Sequence, residues 1–194
     1  MAAGDAGCEL ISTTNVGSAA TSIAITGIPQ TYKALRIVSI LGTDGTAQFD
    51  GEVQCTITGF GSGEYNNVAP AYYAATAGAV SKTAWSSSYS YAAENNTTRT
   101  TQFGAGWYVA NRNSNNVASM EIFCSNYADT GSPLVLHIKS STGAANDANK
   151  LQLIQSGVST TTTNGALTAI TFNSKSGSIN FTTASSVRIY GYTS

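Results

Sequence analysis

Almost every window of this chain long enough to hold a helix is interrupted by Gly, Asn, Ser or Thr, all poor helix-interior residues. The whole chain therefore reads as β. Runs of β-branched, aromatic and alternating apolar residues mark candidate strands at 9–14, 21–27, 34–41, 47–58, 85–92, 106–110, 118–127, 134–140, 151–156, 167–172, 178–181 and 187–192. Between them lie turn clusters such as GTDG at 42–45, NRNSNN at 111–116 and TGAAN at 142–146. Many short strands at this spacing predict a β-sandwich or barrel. The tract STTTTN at 159–164 is low in complexity and reads as an exposed loop or hairpin.

The two ends of the chain carry the clearest strand signals. Ile23 and Ile25 alternate with Ala24 and Thr26, Gly27-Ile28-Pro29-Gln30 turns the chain, and ALRIVSIL follows at 34–41. Near the other end, Val187 and Ile189 alternate with Arg188 and Tyr190, again implying one apolar and one polar face. A first and a last strand lying side by side would close the sheet.

Three segments, IPQTY-x-x-L from Ile28, I-x-x-x-N-Y-A from Ile122 and x-I-Y-G from Arg188, resemble a pattern found in tailed-phage virion proteins. There the first opens a jelly-roll β-sandwich, the second crosses its middle and the third closes it. The resemblance implies an all-β, single-domain jelly-roll sandwich with long aromatic-rich loops, serving as a non-enzymatic virion structural protein. Its leading expectation is a capsid decoration, or cement, protein on the outer surface of the head, a homotrimer whose partner is the major capsid protein. It would be made in the host cytoplasm. The alternative is a tail-fibre or spike domain contacting host surface glycans. A free-standing carbohydrate-binding module is a third reading, and it would normally require export.

Composition bears on these classes. The 194 residues suffice for one domain with a core of its own. Residues 1–8 read as a short N-terminal arm, 9–194 as the domain, and 59–116 as a loop-rich insertion within it. Only 10% of residues are charged, against about 25% in typical domains, while Ser and Thr supply about a quarter. A hydrophobic content of 42% argues against disorder. The net charge of −1 comes with no basic stripe, so the phosphate contacts that dominate nucleic-acid affinity are missing. No apolar run approaches the roughly 20 residues of a membrane span. The N-terminal MAAGDAGC lacks the cationic and apolar regions of a secretory signal, and without them its resemblance to a lipoprotein box carries little weight.

Residues that bear chemistry are sparse. The sole histidine, His137, sits in the alternating run LVLHIKS with no acid or second histidine close in sequence. No serine lies in a G-x-S-x-G elbow. Asp50-Gly51-Glu52 is the one close carboxylate pair, and it reads as a turn or solvated edge rather than a glycosidase pair. Asp44, Asp50 and Glu52 offer hard oxygens but match no EF-hand spacing. Gly59, Gly61 and Gly63 lack the following helix that a nucleotide loop requires. N-x-T patterns such as those at Asn96 and Asn180 matter only on a secretory route. Cys8, Cys55 and Cys124 are odd in number and far apart, fitting neither a disulfide framework nor a zinc site. The chain is accordingly expected to hold no cofactor and no metal and to be no enzyme.

Residues 59–116 differ in texture, with aromatics set among Ser, Ala, Asn and Gly as in binding loops. Tyr72, Tyr73, Trp85, Tyr89, Tyr91, Trp107 and Tyr108 are the candidate contact residues. Three uses stay open for them: filling the sandwich core, contacting subunits or the capsid, and stacking on glycan rings.

Overall fold

A computed structural model of the chain describes residues 7–44, 52–58, 65–68, 71–76, 79–83, 103–107, 117–143, 151–160, 166–174 and 179–193. All regular structure in them is β: β1 (Cys8–Asn15), β2 (Ser22–Ile25), β3 (Ala34–Gly42), β4 (Glu52–Thr58), β5 (Tyr65–Val68), β6 (Ala71–Thr76), β7 (Ala79–Thr83), β8 (Phe103–Trp107), β9 (Val117–Cys124), β10 (Val135–Gly143), β11 (Leu151–Thr160), β12 (Ala169–Ser174) and β13 (Ser186–Tyr192). They form two antiparallel sheets. The larger runs β1-β13-β3-β9-β10-β11-β6-β7, with β5 also paired to β11, and the smaller runs β2-β12-β4-β8.

The expected neighbourhood of the two chain ends is present, with a twist. β13 lies between β1 and β3, in register Ile189↔Ile37 on one side and Tyr190↔Leu10 on the other. The pairing does not close the sheet, because β1 stands at its border. Ile23 and Ile25, read together with β3 as one strand-turn-strand unit, belong to the other sheet through β2 and β12. Gly27 makes that change of sheet possible: its φ of 68° is a left-handed conformation that a residue with a Cβ rarely adopts. The next residue, Ile28, is buried and donates its N–H to the Thr168 carbonyl at 3.0 Å.

Period-two alternation explains the core. In β3 the pattern buries Leu35, Ile37, Ser39 and Leu41 and turns Arg36, Val38 and Ile40 outward. Met120, Ile122 and Cys124 of β9, Leu136 and Ile138 of β10, and Val187 and Ile189 of β13 continue the same buried face. Ile23 and Ile25 of β2, Val53, Cys55 and Ile57 of β4, and Ile170 and Phe172 of β12 join them in one hydrophobic cluster drawn from both sheets. Each such aliphatic or aromatic side chain contributes roughly 1.5–3 kcal/mol through burial. Two hydroxyls interrupt this face. Ser39 and Ser140 both pair with Met120, one on each side, and both Oγ atoms are buried without a hydrogen-bond partner.

Several elements differ from the sequence-based expectation. The stretch 65–83 was expected to be loop, yet β5, β6 and β7 all extend the larger sheet there. AYYAAT and AVSKT do not alternate in polarity, but Tyr, Val and Thr suit a pleated strand once β11 offers an edge. Ser159 and Thr160 continue β11 instead of opening a loop, paired to Val135 and Tyr65. The strand expected at 178–181 reduces to isolated bridges from Phe181 to Ala20 and Thr43, with Ile179 and Phe181 buried as plugs. That segment is clasped from β3: Asp44 accepts the Asn180 N–H and its side-chain amide, each at 2.7 Å. The Ser185 hydroxyl closes the other side, donating to the Gly42 carbonyl and accepting the Gly42 N–H, both at 2.9 Å. The strands expected at 47–58 and 106–110 are seen as β4 and β8, while residues 47–51, 85–92 and 108–110 lie outside the described residues.

Candidate functional site

The three motif segments come together around Tyr127. β9 ends at Cys124, and the chain then turns so that the Tyr127 side chain is fully buried. Its hydroxyl donates to the Pro29 carbonyl and accepts the Tyr32 N–H at 3.2 Å, while its own carbonyl accepts the Leu167 N–H at 2.7 Å. Gln30 adds a second stitch, its side-chain amide reaching the Ile28 and Leu167 carbonyls at 2.8 and 3.0 Å. Tyr32 in turn covers Gly191, so closely that a Cβ at Gly191 would overlap its ring. The Tyr32 hydroxyl then donates to Glu9 of β1 at 2.8 Å. IPQTY, NYA and IYG are thus parts of one packed node that ties β1, β3, β9 and β13 to the start of β12.

The node is structural in its electrostatics as well. Burial raises the Tyr127 phenol, and the Glu9 carboxylate beside it raises the Tyr32 phenol. Both therefore stay protonated as donors at neutral pH. Burial pushes the Cys124 thiol up to about 12 and raises the Cys55 thiol as well, so neither is a nucleophile, and Cys8 is the exposed thiol.

Of the sequence-predicted contact residues, Tyr72, Tyr73 and Trp107 fall in described strands. Tyr72 and Tyr73 lie in β6 of the larger sheet and Trp107 in β8 of the smaller one. Tyr72 is in register with Leu153 of β11 and Tyr73 with Gln152. Trp107 stands opposite Glu52. Trp85, Tyr89, Tyr91 and Tyr108 lie outside the described residues. Among the described residues, no three His, Cys, Asp or Glu side chains approach as a metal set. His137 is exposed in mid-strand, and the Asp44 carboxylate is occupied by Asn180. An open recess of about 270 Å³ between β1 and β2 is lined by Thr14, Asn15, Val16, Ser18, Ser22 and small neighbours, with no titratable side chain.

What sequence reasoning missed is the outward face of the larger sheet. Leu10, Ile40 and Val135, the exposed large hydrophobic residues among those described, all lie on it. Half-buried Val38, Phe123, Tyr190 and Tyr192 fill the space between them, with Phe123 and Tyr192 edge to face at 6.1 Å. Arg36 bridges Glu121 at 3.0 Å in the middle of the face, and that carboxylate raises the guanidinium further. Arg188 and Lys139 are exposed on either side. The alternation in ALRIVSIL and SVRIYGY carried this information, since the positions that are not core still hold Val, Ile and Tyr where a solvated sheet face would be polar. Comparison with protein-family models, with curated proteins and with solved structures finds no match to this chain.

Proposed function

We propose that this chain is a non-enzymatic structural protein of a tailed-phage virion, a decoration protein that binds the outer surface of the head, bridges neighbouring capsid subunits and acts as a trimer. The two sheets with their shared core are, in this reading, a jelly-roll sandwich. One observation supports the reading: the three segments that carry the resemblance to phage virion proteins meet around Tyr127. The sparse charge fits a surface that packs against others without desolvating many ions.

Copy number in purified virions tests the reading. Hundreds of copies per particle support decoration, whereas a few copies located at the tail overturn it in favour of the receptor-binding alternative. A glycan array then tests that alternative, with Trp107→Ala as the control.

A further inference from the structure

We propose that β1 is an exchange element: in the trimer, β1 of each copy pairs with β13 of the next copy, in the same register that it makes with β13 of its own chain. The inference rests on the decoration reading for the number of copies, and it adds the contact that joins them.

β1 is attached to the fold at few points. None of its residues is buried, whereas its neighbour β13 buries Val187, Ile189 and Gly191. Ile11 packs against the core only in part, and it sits at the bulge where the register shifts between Leu10 and Ser12. Among the described strands β1 pairs with β13 and no other. Beyond that ladder it is held by the Tyr32 hydroxyl, which donates to Glu9 at 2.8 Å. Two backbone bonds fix its ends, from the Thr193 N–H to the Gly7 carbonyl at 3.0 Å and from the Val16 N–H to the Ser185 carbonyl at 3.1 Å. Every copy of the chain carries these same partners. A neighbour's β1 therefore remakes the bonds that the resident strand gives up, which is why exchange of an identical element is a low-cost route to an oligomer.

The joint is placed for this exchange. Gly17, Ser18 and Ala19 are exposed, between Val16, fixed to Ser185, and Ala20, bridged to Phe181. They carry the chain from the larger sheet to the smaller one, and the open recess of about 270 Å³ that Gly17 and Ser18 help to line leaves the crossing loosely packed. Short joints of this kind favour exchange, because folding back on the same chain demands a tight bend that an extended joint avoids. Fully extended, the path from Val16 to Ala20 spans about 14 Å, so Ser185 of the receiving copy must lie within that reach of Phe181 of the copy that lends the strand. The order of synthesis supplies the opportunity, since β1 is complete long before its own β13 and meets finished β13 strands of other copies first. Each copy lends one strand and receives one, and such a head-to-tail contact closes as a ring of three.

A disulfide across the ladder reads which chain β1 belongs to. Thr13 and Arg188 are register partners and both are exposed, so Thr13→Cys with Arg188→Cys, made in a Cys8→Ser background, sets two thiols within disulfide reach. The full-length protein is oxidised in its native state, its free thiols are blocked in denaturant, and the chains are separated on a non-reducing gel. Exchange predicts covalently joined chains, up to three, from a protein whose native mass by light scattering is that of three chains. Single-chain bands from a protein of that same native mass mean that β1 lies on its own β13, so the exchange is wrong and the trimer stands. A native mass of one chain overturns both. Tyr192→Cys alone, which sets its thiol opposite the native Cys8, repeats the reading at the other end of the ladder and decides it if the first variant does not fold.

Discussion

One buried hydroxyl, that of Tyr127, satisfies a carbonyl and an N–H of the same turn, and a phenylalanine there keeps the ring while leaving both backbone groups unpaired. Tyr127→Phe should therefore cost about 1–3 kcal/mol, read as a lower denaturant midpoint at unchanged slope. Ser39 presents the opposite case. Its hydroxyl is buried beside Met120 without a partner, so Ser39→Ala removes a polar group that folding has stripped of water for no return. The variant should melt at a higher temperature than wild type, and a lower melting temperature would show that the hydroxyl is hydrated. Neither role was legible beforehand. A tyrosine in NYA and a serine in RIVSIL look alike as strand residues, and only long-range geometry separates the satisfied group from the orphan.

At the level of elements, the strands that alternate cleanly were legible and the others were not. β2, β3, β9, β10, β12 and β13 announce themselves because one face is buried and the other is not, which writes a period of two into the sequence. β5, β6 and β7 do not alternate, and they are strands through the edge that β11 provides, a tertiary circumstance invisible in a local window. The candidate site divides the same way. The candidates in 59–116 were read from composition, whereas Leu10, Ile40 and Val135, exposed on the larger sheet, lie inside strands whose alternation was read for its buried face. The Asp44 clasp on 179–182 gives an element-scale prediction. Hydrogen bonds from Asn180 hold its carboxyl below the ordinary value of 3.8. The ionised form thus stabilises the fold above that value, and the contribution is lost as pH falls through the lower, folded-state value. Wild type should exceed Asp44→Ala in melting temperature near neutral pH, with the gap closing in acid. A gap independent of pH would mean that the carboxylate's charge plays no part.

For the whole molecule, burial of two of the three cysteines offers a direct measure of how tightly the two sheets share their core. One thiol per chain, Cys8, should react quickly with a thiol reagent at pH 8, and all three only in denaturant. Fast reaction of Cys55 in native protein would mean that the sheets separate readily. The decoration reading also belongs to this scale, since it concerns what a finished surface meets. The position of β13 between β1 and β3 bears on the time before that surface exists. β13 is the last of the described strands to leave the ribosome, yet both of its neighbours are among the first three. Throughout synthesis β1 lacks the strand that holds it and β3 carries an open flank. The larger sheet stays incomplete until β13 has emerged, and ordering waits on contacts of long sequence separation, which are slow to form. A chain with so few charges to keep it soluble is most exposed to aggregation in that interval, while the gap between β1 and β3 waits for β13.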